Sequence, residues 1–241
     1  YFSEFTIFRL LDSLKPTAQG SDRIPSWFLR IAAPLISEPV ANLFNLSVSW
    51  SVIPVQWKLS YITPVAKVSR PTSCSDFRPI SITPILSRIL EKLVVQKFFY
   101  PILNHPDHSL SFQTQFAFRP TGSTTAALIN LNHLLAELLL THPFVHLIAL
   151  DFSKAFDTVR HSTLLDKCRG LPIPDNLYNW LAVYLGERKH CTRFGGVLSD
   201  PRPINASVVQ GSGVGPIAFV INASDLRTLN PGNSLNQYAD D

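Results

Sequence analysis

Residues 144–157 read Phe144-Val145-His146-Leu147-Ile148-Ala149-Leu150-Asp151-Phe152-Ser153-Lys154-Ala155-Phe156-Asp157. A run that is apolar except for His146 leads straight into a carboxylate, the pattern of a buried strand that ends on an acid. The sequence closes on Tyr238-Ala239-Asp240-Asp241, and Asn236 to Ala239 reads as the first strand of a hairpin with two acids at its tip. Neighbouring antiparallel strands lie about 4.8 Å apart, so carboxylates at adjacent strand ends come within reach of shared cations.

Acids brought together this way suit phosphoryl transfer. When a 3′-hydroxyl attacks a triphosphate, charge spreads over the phosphoryl group while the attacking and leaving oxygens must stay in line. Two cations about 4 Å apart serve both oxygens. Magnesium prefers oxygen ligands and retains water, so a few carboxylates and the substrate phosphates complete its shell. Taken alone, Asp151 also reads as a helix N-cap, and Asp240-Asp241 as an ordinary turn.

Hydrophobic residues make up 46% of the 241, enough for a sizeable core, while charged residues are only 16%, below the usual quarter. The net charge of +4 is compatible with a polyanionic partner without requiring one. Cys74, Cys168 and Cys191 are widely spaced and odd in number, which excludes a C-x-x-C zinc site and predicts reduced, intracellular thiols. His105-Pro106-Asp107-His108 lacks a third ligand nearby and reads as loop rather than metal site. The apolar run Leu134 to Leu140 carries Glu137 and is too short to span a bilayer. No Met occurs and the sequence opens Tyr1-Phe2-Ser3, which predicts an internal stretch of a longer reading frame.

Along the chain, apolar periodicity predicts a helix over 34–50 and an extended segment over 57–67. Thr83-Pro84 predicts a capped helix start, with a stop at Pro101. A helix opens at Gly122-Ser123-Thr124, with Leu128, Leu131, Leu135 and Leu138 on one face, and ends at Pro143. Short helices are expected over 161–168 and 175–187, two short strands over 190–207 around Gly195-Gly196, and a Gly-rich turn at 211–215 leading into a helix over about 216–225. Trp27, Trp50 and Trp180 are expected in the core or at subdomain contacts. No repeat or flexible linker interrupts the chain, so the first part is expected to pack directly on the second.

Six strings occur in one order: Trp57-Lys58 through Pro64-Val65 to Lys67; Phe77-Arg78-Pro79-Ile80-Ser81 with Glu91; Gln115-Phe116-Ala117-Phe118-Arg119-Pro120 with Ser123-Thr124; Asp151 to Val159; Gln210-Gly211-Ser212 with Gly215-Pro216 and Phe219; and Tyr238 to Asp241. In this order they resemble the reverse transcriptase domain of non-LTR retrotransposons, the long interspersed class. The resemblance implies an α+β right-hand polymerase. Fingers would lie over roughly 1–140 and the palm over 141–241, with an antiparallel palm sheet cut at the catalytic hairpin and the thumb absent.

Carried over residue by residue, the resemblance makes Asp151 and Asp240 the principal metal ligands. Asp241 is the third acid, and the backbone carbonyl of Phe152 joins the shell. The implied cofactor is a pair of Mg²⁺ ions, with Mn²⁺ as a substitute. Phe156 corresponds to an aromatic steric gate against a 2′-hydroxyl, and Asp157 to a structural cap. Gln210 and Gly211 correspond to the loop beneath the incoming nucleotide, with Lys67 and Arg78 as triphosphate contacts. Arg119 and Lys154 would touch nucleic-acid backbone, or in the case of Arg119 brace the fingers. Partners would be an RNA template, a DNA primer and dNTP, with no membrane. The family's target-primed synthesis implies action in the nucleus.

The family's glycine is replaced at Ala117 and Ser207, its proline at Val209, its bulky aliphatic at Gly213 and its acid at Arg160. Loss of Gly or Pro shifts loops, so a degenerate copy with residual nucleic-acid binding stands as an alternative. A group II intron-type enzyme is a second. Residues 1–241 alone are expected to fail primer extension, and Asn236 to Ala239 to carry an unpaired edge.

Overall fold

The computed structural model describes residues 1–103, 112–204, 206–209 and 211–239. Helix α1 (Glu4–Asp12) starts where Ser3 Oγ accepts the Thr6 N–H at 3.2 Å, and it buries Ile7 and Leu11 against α2 (Ser26–Trp50). Helix α2 begins eight residues before the expected start at 34 and passes through Pro34 and Pro39 unbroken. Its first turns bury Leu29 and Ala33, and that burial outweighs the local proline signal. It is long and apolar enough to cross a membrane by length and composition, yet Ala33, Val40, Phe44 and Val48 lie in the protein core.

The small sheet is mixed. β1 (Leu59–Ala66) pairs antiparallel with β2 (Phe77–Ile82) and parallel with β3 (Lys189–Phe194). β4 (Val197–Leu198) and β5 (Arg202–Pro203) both pair antiparallel with β3. The β3–β4 turn is the expected Gly195-Gly196, at φ of 57° and 83°, the left-handed conformation that tight hairpins favour. The parallel β1–β3 pairing joins residues about 130 apart in sequence, such as Tyr61 and Cys191.

After β2, the hydroxyl of Thr83 is buried without a hydrogen-bond partner and caps nothing, contrary to expectation. Helix α3 (Ile85–Val94) instead starts from Pro84. Nor does Pro101 stop the helix. A π-turn at Val95–Phe99 leads into α4 (Tyr100–Leu103), and the wider turn relieves the clash that a proline ring makes with the preceding turn. Helix α5 (Thr124–Thr141) starts as expected, with Ser123 Oγ accepting the Ala126 N–H at 3.0 Å. Helices α6 (His161–Arg169), α7 (Asp175–Leu185) and α8 (Gly215–Asn222) follow.

Phe144 to Leu150, expected to be a buried strand, is not a strand. Residues 143–150 form no ladder with any described segment, and Phe144, Leu147, Ile148 and Leu150 are 67%, 62%, 78% and 66% exposed. An antiparallel palm sheet is therefore absent among the described residues. A strand exists only through its partner, and an apolar run cannot supply one. Likewise Asn236–Ala239 makes only an isolated bridge, Gln237 to Gln115.

The core crosses residue 140. Trp180 is fully buried and its indole N–H donates to Ser47 Oγ at 3.1 Å. Trp57 meets Phe44 edge-on, with ring centroids 6.1 Å apart. Trp27 and Trp50, by contrast, are 60% and 72% exposed and take no part in the core. Cys168 and Cys191 are buried and Cys74 is exposed, all free. Burial pushes the Cys168 thiol up to about 12.

Candidate active site

All six sequence strings are joined in space, the first to the second by the β1–β2 ladder and the second to the fifth where Ser81 and Glu91 meet Gly211 and Gly213. The turn after Asp151 is held by its own backbone: the Phe152 carbonyl accepts the Ala155 N–H at 3.3 Å, and the Lys154 carbonyl accepts the Asp157 and Thr158 N–H groups at 2.9 and 3.1 Å. Lys154 adopts φ of 56° to close it. The turn is stitched to residues 206–208. Val208 N–H donates to the Phe156 carbonyl and Ser207 N–H to the Val159 carbonyl, both at 2.9 Å. Arg160 bridges Ala206, and His161 Nε2 lies 2.9 Å from the Ser207 carbonyl.

Aromatic rings join the strings. Phe156 stacks on Phe219 with centroids 4.7 Å apart at 29°, and meets Phe118 edge-on at 6.0 Å. Phe118 belongs to the 115–120 string, Phe156 to the 151–159 string and Phe219 to the 210–219 string. Such ring pairs add about 0.5–1.5 kcal/mol each beyond the area they bury. Phe156 is half-buried, so it is both a packing residue and a partly open ring.

The 112–119 turn in turn holds the end of the described chain. Gln237 N–H donates to the Thr114 carbonyl at 2.8 Å, and Phe116 N–H to the Gln237 carbonyl at 2.9 Å. The side chain of Gln115, 3% exposed, accepts the Ala239 N–H at 2.9 Å and the Ala117 N–H at 3.0 Å, and donates to the Ala239 carbonyl at 3.2 Å.

Asp151 and Phe152 are exposed at the head of their turn. Asp240, Asp241 and Gln210 lie outside the described residues, as does His105–His108. Among the described residues no group of three or more His, Cys, Asp or Glu side chains is placed to hold a metal. Lys67 sits at the exposed tip of the β1–β2 hairpin, its N–H donating to the Asp76 carbonyl at 2.7 Å and its Nζ to the Ser75 carbonyl at 2.9 Å. Arg78 stands exposed on β2 opposite Val65. Asp76 closes the hairpin, and backbone hydrogen bonds from Thr72 and Ser73 hold its carboxyl below the usual range.

Arg119 takes the bracing position. Its guanidinium donates to the carbonyls of Phe112, Gln115 and Leu103, and burial pulls its pKa down. Gly211 adopts φ of 100°, and a Cβ there would lie 2.9 Å from the Ser81 carbonyl oxygen. That close approach requires glycine. A cleft of about 330 Å³ opens between the sheet and the 206–209 segment, with Ser81, Asp157, His190, Ser207, Val208 and Val209 along it.

Two replaced family positions have physical consequences. Ser207 sits at φ of 87°, a conformation that glycine adopts freely and that strains serine. A Cβ at Gly213 would lie 3.0 Å from Glu91 Cβ and Lys92 N, so a bulkier residue there would have to push α3 and the turn apart by a few tenths of an ångström.

Two buried groups that sequence reading gave no role stand behind this site. Glu91 is 1% exposed and Arg188 is 1% exposed. Glu91 Oε1 accepts from Ser87 Oγ at 2.7 Å and Oε2 from Gly213 N–H at 2.7 Å. Arg188 donates to the carbonyls of Tyr184 and Trp57, and its guanidinium carbon lies 4.6 Å from the centroid of the Tyr184 ring. Burial pushes the Glu91 carboxyl up, while Arg188 opposes the shift. The sequence signal was available for Glu91, an acid among the apolar positions Leu90, Leu93 and Val94.

Residues 65–241 match the family model described as reverse transcriptase (RNA-dependent DNA polymerase). The chain is 29% identical over 233 residues to the RNA-directed DNA polymerase from mobile element jockey of Drosophila melanogaster, covering 93% of this chain and 25% of that protein. It is 29% identical over 213 residues to the probable RNA-directed DNA polymerase from transposon BS of the same fly, covering 84% and 23%. A third relative is the retrovirus-related Pol polyprotein from type-1 retrotransposable element R2 of Popillia japonica, 24% identical over 206 residues, covering 85% and 27%. The chain thus spans about a quarter of the length of these curated relatives.

Proposed function

The chain belongs to the reverse transcriptase family, and from that premise we propose that it forms the fingers and part of the palm of an RNA-directed DNA polymerase of a non-LTR retrotransposon. The observation that carries the reading is the junction of Gln115 with Ala239. It holds the backbone just before Asp240 against the turn that also places Phe118 on Phe156. Strings far apart in sequence are thereby held about one centre.

The substrates in this reading are an RNA template, a DNA primer with a free 3′-hydroxyl, and dNTP. Lys67, just past β1, and Arg78 on β2, both exposed, take the triphosphate by charge-assisted hydrogen bonds. The Gly211 turn lies beneath the nucleotide, and the Gln210 amide would hydrogen-bond it. Phe156 turns its open edge toward the sugar and leaves room for hydrogen at C2′ but not for oxygen. Lys154, exposed on the turn after Asp151, approaches a nucleic-acid phosphate, and Arg119 keeps the 112–115 turn in place.

The described donors, the Asp151 carboxylate and the Phe152 carbonyl, are hard oxygens of the kind Mg²⁺ prefers. Asp240 and Asp241 would complete the set. Bound there, the metal pair would neutralise charge on the phosphoryl group and favour an ionised 3′-oxygen. The chain's own contribution is to hold the Asp151 carboxylate at the head of a hydrogen-bonded turn and to orient the nucleotide.

The test is template-primed extension on an RNA template with a DNA primer, in a protein that contains residues 1–241. Asp151→Asn is expected to lower incorporation at least about a thousandfold while leaving the fold intact, because Asp151 is exposed. Wild-type incorporation retained by Asp151→Asn would sink the proposal. The alternative of a degenerate copy draws on Ser207 at positive φ in a glycine position. Nucleic-acid binding without extension by the wild-type protein would favour it.

A further inference from the structure

Buried acids are costly. Removing a carboxylate from water is repaid only by close partners, and an apolar residue of equal volume is often as stable in its place. The partners of Glu91 are therefore informative. One oxygen is held within α3 by Ser87 Oγ at 2.7 Å, and the other accepts a backbone N–H from a distant turn, that of Gly213, also at 2.7 Å. The turn is seated from two sides. Gly211 lies against the Ser81 carbonyl at the end of β2, too closely for a Cβ, and Gly213 lies tightly against Glu91 and Lys92 on α3. Ser212 Oγ accepts the Gly215 N–H at 2.8 Å and leads the turn into α8. Arg188 and Tyr184 stand behind the carboxyl.

One continuous stretch, β2 to α3, thus carries Arg78 at one end and the anchor of the Gly211–Gly215 turn at the other. We propose that Glu91 is a positioning residue for nucleotide binding, fixing the Gly211–Gly215 turn relative to Arg78 through its bond to the Gly213 N–H. The inference rests on the nucleotide-binding reading given above. Glu91 touches no substrate. It acts by presenting a buried oxygen acceptor to the half-buried Gly213 N–H, which ties the turn to α3.

The test uses three variants. Glu91→Met keeps volume and removes the acceptor, Glu91→Gln keeps an acceptor, and Glu91→Met with Arg188→Met removes both buried charges, so that an unpaired Arg188 cannot unfold the protein. With ¹⁵N-glycine labelling, the ten glycines give a countable spectrum in which Gly213 reports the contact. Binding of Mg·dTTP is measured on the same samples.

The expected result is that Glu91→Met, or the double variant should the single one not fold, shifts and deprotects Gly211, Gly213 and Gly215, leaves Gly195, Gly196 and Gly232 unmoved, and weakens dTTP binding by about tenfold or more. Glu91→Gln should restore most of both effects. In extension assays the loss should appear in KM for dNTP rather than in kcat. Wild-type affinity in a folded acceptor-less variant would overturn the inference while leaving the polymerase reading standing. Glycine shifts spread evenly over the molecule would also overturn it, since they mark a purely structural role. No dTTP binding by the wild-type protein would overturn the nucleotide reading, and this inference with it.

Discussion

The carboxamide of Gln115 brackets Ala239, accepting its N–H at 2.9 Å and donating to its carbonyl at 3.2 Å. A side chain so engaged replaces the missing strand partner of the 236–239 segment, because it satisfies both backbone groups of one residue. Gln115→Leu keeps bulk and removes both bonds. It is expected to cost about 1–3 kcal/mol and to raise protease cleavage between Gln237 and Ala239. Urea unfolding and limited proteolysis check this, and unchanged cleavage would dismiss the bracket.

Ser207 holds φ of 87° while its N–H and carbonyl are both engaged, by Val159 and His161. The backbone is fixed there and the strain belongs to the Cβ. Ser207→Gly should raise stability by about 0.5–1 kcal/mol, the gain from relieved strain being partly offset by extra freedom of the unfolded chain. A thermal melt reads the shift, and a lower Tm would contradict it.

Burial raises Glu91 above the ordinary glutamate value of 4.5. Arg188, Arg88 and Tyr184 are the ionisable groups that interact with it. The folded protein therefore binds this proton more tightly than the unfolded chain. Stability from this group is full below 4.5, falls as pH rises from there to the raised folded value, and is level above it. Glu91→Gln does not titrate, so wild-type stability should decline relative to the variant across that window. Denaturant midpoints over a pH series measure it, and parallel curves would reject the shift.

Phe156 lies between Phe118 and Phe219. Phe156→Val in an active protein should raise the ratio of ribonucleotide to deoxynucleotide incorporation and lower stability by about 1–3 kcal/mol. A stability loss with an unchanged ratio would leave the ring a packing residue alone.

Leu147 and Ile148 are exposed in a segment that pairs with no strand among the described residues, a surface that invites self-association. Leu147→Thr with Ile148→Thr should leave the Tm of this chain nearly unchanged and reduce light scattering at high concentration. A large fall in Tm would mean that these side chains are buried in solution.

The order of the six strings, the Ser123 cap of α5 and the Gly195-Gly196 hairpin were legible in the sequence because each depends on residues close together in the chain. Family membership followed from the strings themselves. What only the tertiary structure decided is non-local: the parallel pairing of Tyr61 with Cys191, the seat of Gly213 on Glu91, and the aromatic contacts from Phe118 through Phe156 to Phe219. The apolar run before Asp151 belongs with these. Its composition gives it the capacity to be a strand, but pairing is a property of two segments, and among the described residues the second is not there.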